Sequence, residues 1–146
     1  ACVSIYTKNK YLSSDLDFVS ASSVKEISPV LSELGFERKS SRHFEKKGCP
    51  FFIEFVPSPA AIGSEPIKGK NILKTRMGYI TLLTPTDSVK DRLAAYYHWN
   101  DPQALEQALM LAKAQKINLK EIKRWSEKEG HKEKYNVFVR VMKGRK

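Results

Sequence analysis

The 146-residue sequence predicts an α/β (α+β) fold: a small mixed β-sheet with flanking helices, followed by a C-terminal helical segment. Short extended runs broken by Gly, Pro and Lys turns recur as far as residue 84. Beyond Pro85 the apolar spacing becomes helical, and Asp101-Pro102 and Asn118 have the form of helix starts. A hydrophobic content of 41% in a chain of this length supports a buried core without disulfides. The expected division is an α/β core over residues 1–84 and a helical segment over 85–146.

The elements follow in order. Leu16, Phe18 and Val19 suit a strand over residues 14–20, with Leu16 and Phe18 entering the core. Ser23 followed by Glu26 forms a capping box that opens a helix carrying Val24, Ile27, Val30, Leu31 and Leu34, stopped at Gly35. Extended runs at Phe36–Phe44 and Pro50–Val56 flank the turn Lys46-Lys47-Gly48 and read as a β-hairpin. Residues 57–71, with three prolines and two glycines, read as a loop. A strand pair is expected at Ile72–Arg76 and Tyr79–Leu83, turning at Met77 and Gly78.

Four helices follow. The first is capped at Thr86 or Asp87 and carries Val89, Leu93 and Tyr97. The second starts at Asp101 and Pro102 and buries Leu105, Ala108, Leu109 and Ala112. The third is capped by Asn118, bears Leu119, Ile122 and Trp125, and ends near Gly130. The last buries Tyr135, Phe138, Val139 and Met142. Trp99 and Trp125 are expected as core or interhelix contacts.

Two cysteines, Cys2 and Cys49, are too few for a disulfide framework and have no zinc-ligand spacing. No apolar run approaches the roughly 18 residues of a membrane span, and no signal peptide is evident, so a reduced cytoplasmic chain is expected. The net charge of +10 is uneven. Residues 1–112 hold fourteen basic and twelve acidic residues, whereas residues 113–146 hold twelve basic and four acidic. A basic block attracts polyanions, which makes Lys120, Lys123, Arg124 and Lys128 candidate nucleic-acid contacts; the alternative is a solvated helix face.

The stretch that carries chemistry is Ser13-Ser14-Asp15-Leu16-Asp17-Phe18-Val19. On a strand Asp15 and Asp17 project to one face. Two such carboxylates repel unless a cation or solvent relieves them, and hard oxygen ligands suit Mg²⁺ or Mn²⁺. Glu54 interrupts an otherwise apolar run, Phe51 to Val56, and would complete a three-carboxylate site if its strand lay beside the first. Otherwise it is an edge-strand residue or a partner of Lys46 or Arg42. Lys68-Gly69-Lys70 lacks the upstream glycine of a P-loop. His43, His98 and His131 show no ligand spacing.

The run Tyr11-Leu12-Ser13-Ser14-Asp15-Leu16-Asp17-Phe18-Val19 resembles the signature of the DNA polymerase β nucleotidyltransferase superfamily, most closely its minimal prokaryotic, abortive-infection toxin-like members. In that family a glycine turn precedes an Asp-x-Asp strand, and a third acidic residue, here Glu54, lies on a later strand. The segment Leu83 to Tyr96 is similar to the family's helical segment, where Arg92 takes the basic position and Asp101 the later acidic one. Residues 1–7 resemble the helix after the glycine turn; by that resemblance the turn should stand just before Ala1, and this sequence lacks it.

The resemblance covers residues 1–112. It implies a metal-dependent transfer of NMP from an NTP to an acceptor. Asp15, Asp17 and Glu54 would be catalytic metal ligands, with Ser13, Ser14 and Arg92 on the nucleotide. The implied acceptor is RNA such as tRNA, or a protein hydroxyl, and an antitoxin is an implied partner. The alternative is a catalytically degenerate member that binds nucleotide, RNA or an antitoxin without turnover.

Overall fold

The computed structural model describes residues 1–144 and is a mixed α/β protein, with six helices and three small sheets among those residues. The chain forms two compact units. One comprises Ala1 and Leu12–Ala60; the other comprises Cys2–Tyr11 together with the chain from Ala61 onward. The units therefore do not follow a boundary after residue 84, because Ile62, Ile67 and Leu82 share a core with the helices that come later. The two cysteines are free thiols.

The first unit is a four-stranded sheet with one helix. Its strands are β1 (Asp15–Ser20), β2 (Glu37–Arg38), β3 (His43–Glu45) and β4 (Phe52–Pro57), in the order β1-β4-β3-β2. β1 and β4 run parallel, and the other pairs are antiparallel. The expected run from Phe36 to Phe44 is thus two short strands, broken at Lys39–Arg42. There Arg38 donates to the Ser40 and Ser41 carbonyls at 2.9 Å each and fastens a turn.

The connecting helix between β1 and β2 spans Val24–Glu33 and starts on the expected capping box: Ser23 N donates to Glu26 Oε2 at 2.7 Å and Glu26 N to Ser23 Oγ at 3.4 Å. It ends before Gly35, whose φ of +82° only glycine adopts freely. Leu31 packs on Phe44 and Ile53, joined by Leu16, Val24, Ile27, Phe36 and Phe55. Val30 and Leu34, expected on that face, are exposed, as is Phe18, which lies on the edge strand β1 and stacks on Phe55 at 5.9 Å.

The second unit is mostly helical. Its helices are α1 (Cys2–Tyr6), α3 (Pro85–Trp99), α4 (Pro102–Ala114), α5 (Leu119–Lys128) and α6 (Lys132–Gly144), the helix of the first unit being α2. α3 begins earlier than expected: Thr84 is the cap, its Oγ1 accepting from Asp87 N at 3.0 Å, and Pro85 takes the first helical position. Asp101 and Asn118 cap α4 and α5 as expected.

Val89, Leu93 and Tyr97 meet Ala108, Leu111, Ile122, Trp125 and Phe138 in one buried core. Trp99 departs from expectation and is exposed: two residues beyond Tyr97, it turns to the opposite side of α3. Lys134 closes the end of the same helix by donating to the Tyr96 and Tyr97 carbonyls at 3.1 and 2.5 Å.

Residues 57–71, expected as a loop, contain a small hairpin of β5 (Ala61–Ile62) and β6 (Glu65–Pro66). Its turn is fixed by Ser64, whose N and Oγ both donate to Glu129 Oε1, at 2.9 and 2.5 Å. The last two strands, β7 (Asn71–Thr75) and β8 (Gly78–Leu82), pair with each other and, among the described residues, with no other strand, around a turn at Arg76 and Met77. Tyr6 Oη donates to the Leu83 carbonyl at 2.5 Å and accepts from Asn71 Nδ2 at 3.0 Å, tying down the foot of this ribbon.

Gly63 has the closest surroundings of the glycines in the second unit. Its φ is +60°, and a Cβ there would lie 2.5 Å from Glu129 Oε2. Gly63→Ala is expected to lower the unfolding free energy by about 1–3 kcal/mol through left-handed strain and displacement of the Glu129 carboxylate. Chemical denaturation measures this directly.

Candidate functional site: a carboxylate row on the open sheet face

In the parallel pairing of β1 with β4, Asp15 stands opposite Phe52 and Asp17 opposite Glu54. Because in-register side chains share a face, Asp15, Asp17 and Glu54 lie on one side of the sheet, while Leu16 and Ile53 lie on the side covered by α2. Strands in a ladder stand about 4.8 Å apart, so Asp17 and Glu54 are direct neighbours. Glu54 is half-buried and Asp17 exposed. Glu54 therefore stands in an apolar run because it points away from the face of the sheet that α2 covers.

Ser13 Oγ donates to a carboxylate oxygen of Asp15 and, at 3.2 Å, to the Asp15 carbonyl. The Ser14 carbonyl accepts from Phe52 N at 2.9 Å, so Ser14 extends the β1–β4 ladder. Of the two serines expected near a nucleotide, one thus orients a carboxylate and the other registers the strands.

His43 on β3 is the cross-strand partner of Glu54 on its other side. Asp17, Glu54 and His43 therefore form a row across three strands. His43 also contacts the Phe52 ring at 4.7 Å and the Glu45 carboxylate at 2.8 Å. Its place in this row was not legible in the sequence, because it depends on the register of the β3–β4 hairpin.

Three carboxylates thus lie on two adjacent strands of one face, with a like-charged pair in register, and carboxylate oxygen is the donor type that hard divalent cations take. Among the described residues, however, no three carboxylate, imidazole or thiol side chains converge as a finished metal-binding group.

The other candidates belong to the second unit, and most of them have internal partners. Arg92 donates to Asp91 Oδ2 through Nε and a terminal nitrogen at 2.9 and 2.6 Å, and to Gln107 Oε1 at 3.2 Å. Asp101 accepts from Gln103 N at 2.9 Å as the cap of α4. On α5, Arg124 holds both oxygens of Glu65 at 2.9 and 2.7 Å and both of Glu121 at 2.7 Å. Lys128 joins Glu65 at 2.9 Å, and Lys123 lies 3.9 Å from Glu127. Lys120 is exposed. Much of the α5 charge therefore serves internal ion pairs.

That network continues inward to Lys90, which no sequence motif marks. Lys90 is 6% exposed; its ammonium meets Glu121 at 2.7 Å and Asp87 at 3.6 Å and stands 5.9 Å from the centre of the Trp125 ring. Lys90, Glu121, Arg124 and Glu65 line an open cleft of about 550 Å³. Hydrogen bonds from Arg124 and then Lys90 hold the Glu121 carboxyl down at about 2. Arg124 and then Lys128 do the same for Glu65, also to about 2.

Both carboxylates therefore stabilise the fold above their ordinary value near 4.5, and that contribution is lost as pH falls from there towards about 2. Glu121→Gln is expected to shrink this acid-range pH dependence. It is also expected to cost about 2 kcal/mol at neutral pH, less than the roughly 3–5 kcal/mol of losing a sole buried partner, since Asp87 remains beside Lys90. Urea unfolding across pH 2–7 checks both effects, and adding Lys90→Met to the variant is expected to restore part of the neutral-pH loss.

Comparison with family models, with curated proteins and with solved structures finds no match to this chain.

Proposed function

We propose that the protein is a metal-dependent nucleotidyltransferase that moves an NMP from an NTP to a hydroxyl acceptor. The observation that supports this most is the in-register placing of Asp17 beside Glu54 on parallel strands, with Asp15 on the same face. Like charges directly opposite one another weaken strand pairing by up to about 1 kcal/mol, and a divalent cation held between two carboxylates is one arrangement that offsets this. Asp15, Asp17 and Glu54 would hold Mg²⁺ or Mn²⁺, which when bound supplies charge neutralisation on the NTP phosphates.

In this reading Ser13 fixes the Asp15 carboxylate through its hydrogen bond. One carboxylate of the row takes the proton of the acceptor hydroxyl as its oxygen bonds to the α-phosphorus. The bond to the bridging oxygen breaks, and pyrophosphate leaves. The acceptor is RNA, tRNA included, or a protein hydroxyl. Arg92, which the family likeness assigns to phosphate, is engaged with Asp91 and Gln107.

A second reading is favoured by one observation, the absence of a converged ligand group among the described residues. In it the same fold binds nucleotide or an antitoxin-type partner without turnover.

Calorimetric titration of an NTP panel with Mg²⁺ or Mn²⁺, beside an Asp15→Asn/Asp17→Asn variant, tests the proposal. Metal-dependent binding to the native chain, weakened at least about tenfold in the variant, is the expected result. Equal binding by both proteins contradicts the site. Binding lost in the variant, but with no labelled NMP passing from NTP to total RNA or protein, selects the second reading.

A further inference from the structure

Between Glu65 and Asp87 the chain carries four cations, Lys68, Lys70, Lys74 and Arg76, and no carboxylate. All four side chains are exposed, and none takes part in an ion pair among the described residues. This is the reverse of α5, whose Arg124 and Lys128 are held by Glu65 and Glu121. A run of four cations outside these ion pairs, available to an external polyanion, therefore lies on and beside the β7–β8 ribbon.

The ribbon also exposes apolar and aromatic surface. Tyr79 is 72% exposed, Ile72 58% and Met77, at the turn, 100%. Lys74 stands opposite Tyr79 in the ladder and Ile72 opposite Thr81, so Ile72, Lys74, Tyr79 and Thr81 share one face. The foot is fixed by Leu82 in the core and by the hydrogen bonds of Tyr6, and the turn by Thr75 Oγ1, which donates to the Gly78 carbonyl at 2.9 Å. The aromatic ring and its neighbouring ammonium are thus presented on a ribbon anchored at its base and braced at its tip.

We propose that the β7–β8 ribbon binds single-stranded nucleic acid, with phosphates met by Lys68, Lys70, Lys74 and Arg76 and a base stacked on Tyr79. An unpaired strand offers both features at once, a charged backbone and exposed π-faces. A bilayer fits less well. A bilayer surface offers charge for the lysines but no π-face for Tyr79, whereas beside a stacked base the Lys74 ammonium, directly across from the ring, meets the adjacent phosphate. This binding stands apart from the carboxylate reading and requires no transfer chemistry.

The test is fluorescence anisotropy with a labelled single-stranded RNA of about 16 nucleotides across a salt series. Salt-dependent binding by the native chain is expected. In Lys68→Gln/Lys70→Gln/Lys74→Gln/Arg76→Gln the slope of log affinity against log salt should shrink by about three, at about 0.7 for each phosphate that is no longer neutralised. Tyr79→Ala should weaken binding about tenfold or more, and Lys120→Gln/Lys123→Gln should change it far less. These side chains are exposed, so native melting temperatures are expected throughout, and Lys74→Gln/Arg76→Gln alone repeats the test with a smaller change. Unchanged affinity and slope in the fourfold variant overturn the proposal. So does loss confined to the Lys120/Lys123 variant, or a native chain that binds phosphatidylserine vesicles and no RNA.

Discussion

The parallel pairing of β1 with β4 is the constraint on which the first unit and its candidate site depend. It joins two strands that are separated in the chain by α2 and the β2–β3 hairpin, and so closes the sheet around Phe44 and Ile53. The same register that buries Leu16 and Ile53 on one face sets Asp17 beside Glu54 on the other. A slip of one residue would exchange the faces, placing carboxylates under α2 and leucine in solvent. Hydrophobic burial on one side thus fixes where the charges stand on the other, and the site's geometry follows from the packing of its reverse.

The second unit is organised by a chain of opposite charges around one buried cation. Lys90 sits against Trp125 with Glu121 and Asp87, and Arg124 extends the network to Glu65 and Lys128. These pairs link α3 and α5 to the small β5–β6 hairpin. They also alter what the net charge means: the helical segment is rich in Lys and Arg, yet several of them hold the fold together, Lys134 included. Lys68, Lys70, Lys74 and Arg76, by contrast, enter no ion pair among the described residues.

Local signals in the sequence carry far. Ser23 with Glu26, Asp101 with Pro102, and Asn118 each mark a helix start where the chain makes one, because capping is decided by neighbours within a turn. Thr84 caps α3 in place of Thr86 or Asp87 because Pro85 admits an earlier first turn. Exposure is less legible. Val30, Leu34 and Trp99 are apolar residues at plausible helical positions, and whether each is covered depends on what packs beside it. For the site, the period of two puts Asp15 and Asp17 on one face from sequence alone. Their neighbours Glu54 and His43 are set by strand register, which is a tertiary choice. Likewise no local pattern joins Glu65 to Arg124, 59 residues away.

The most direct test of the carboxylate row is thermal unfolding with and without Mn²⁺ for the native chain, Asp17→Asn and Glu54→Gln. If Asp17 and Glu54 share one cation, Mn²⁺ raises the native melting temperature, by the equivalent of about 2.7 kcal/mol when present at a hundredfold its dissociation constant. Each single substitution then abolishes the rise. Equal responses in all three proteins, or none in the native chain, would contradict a shared cation site on this face.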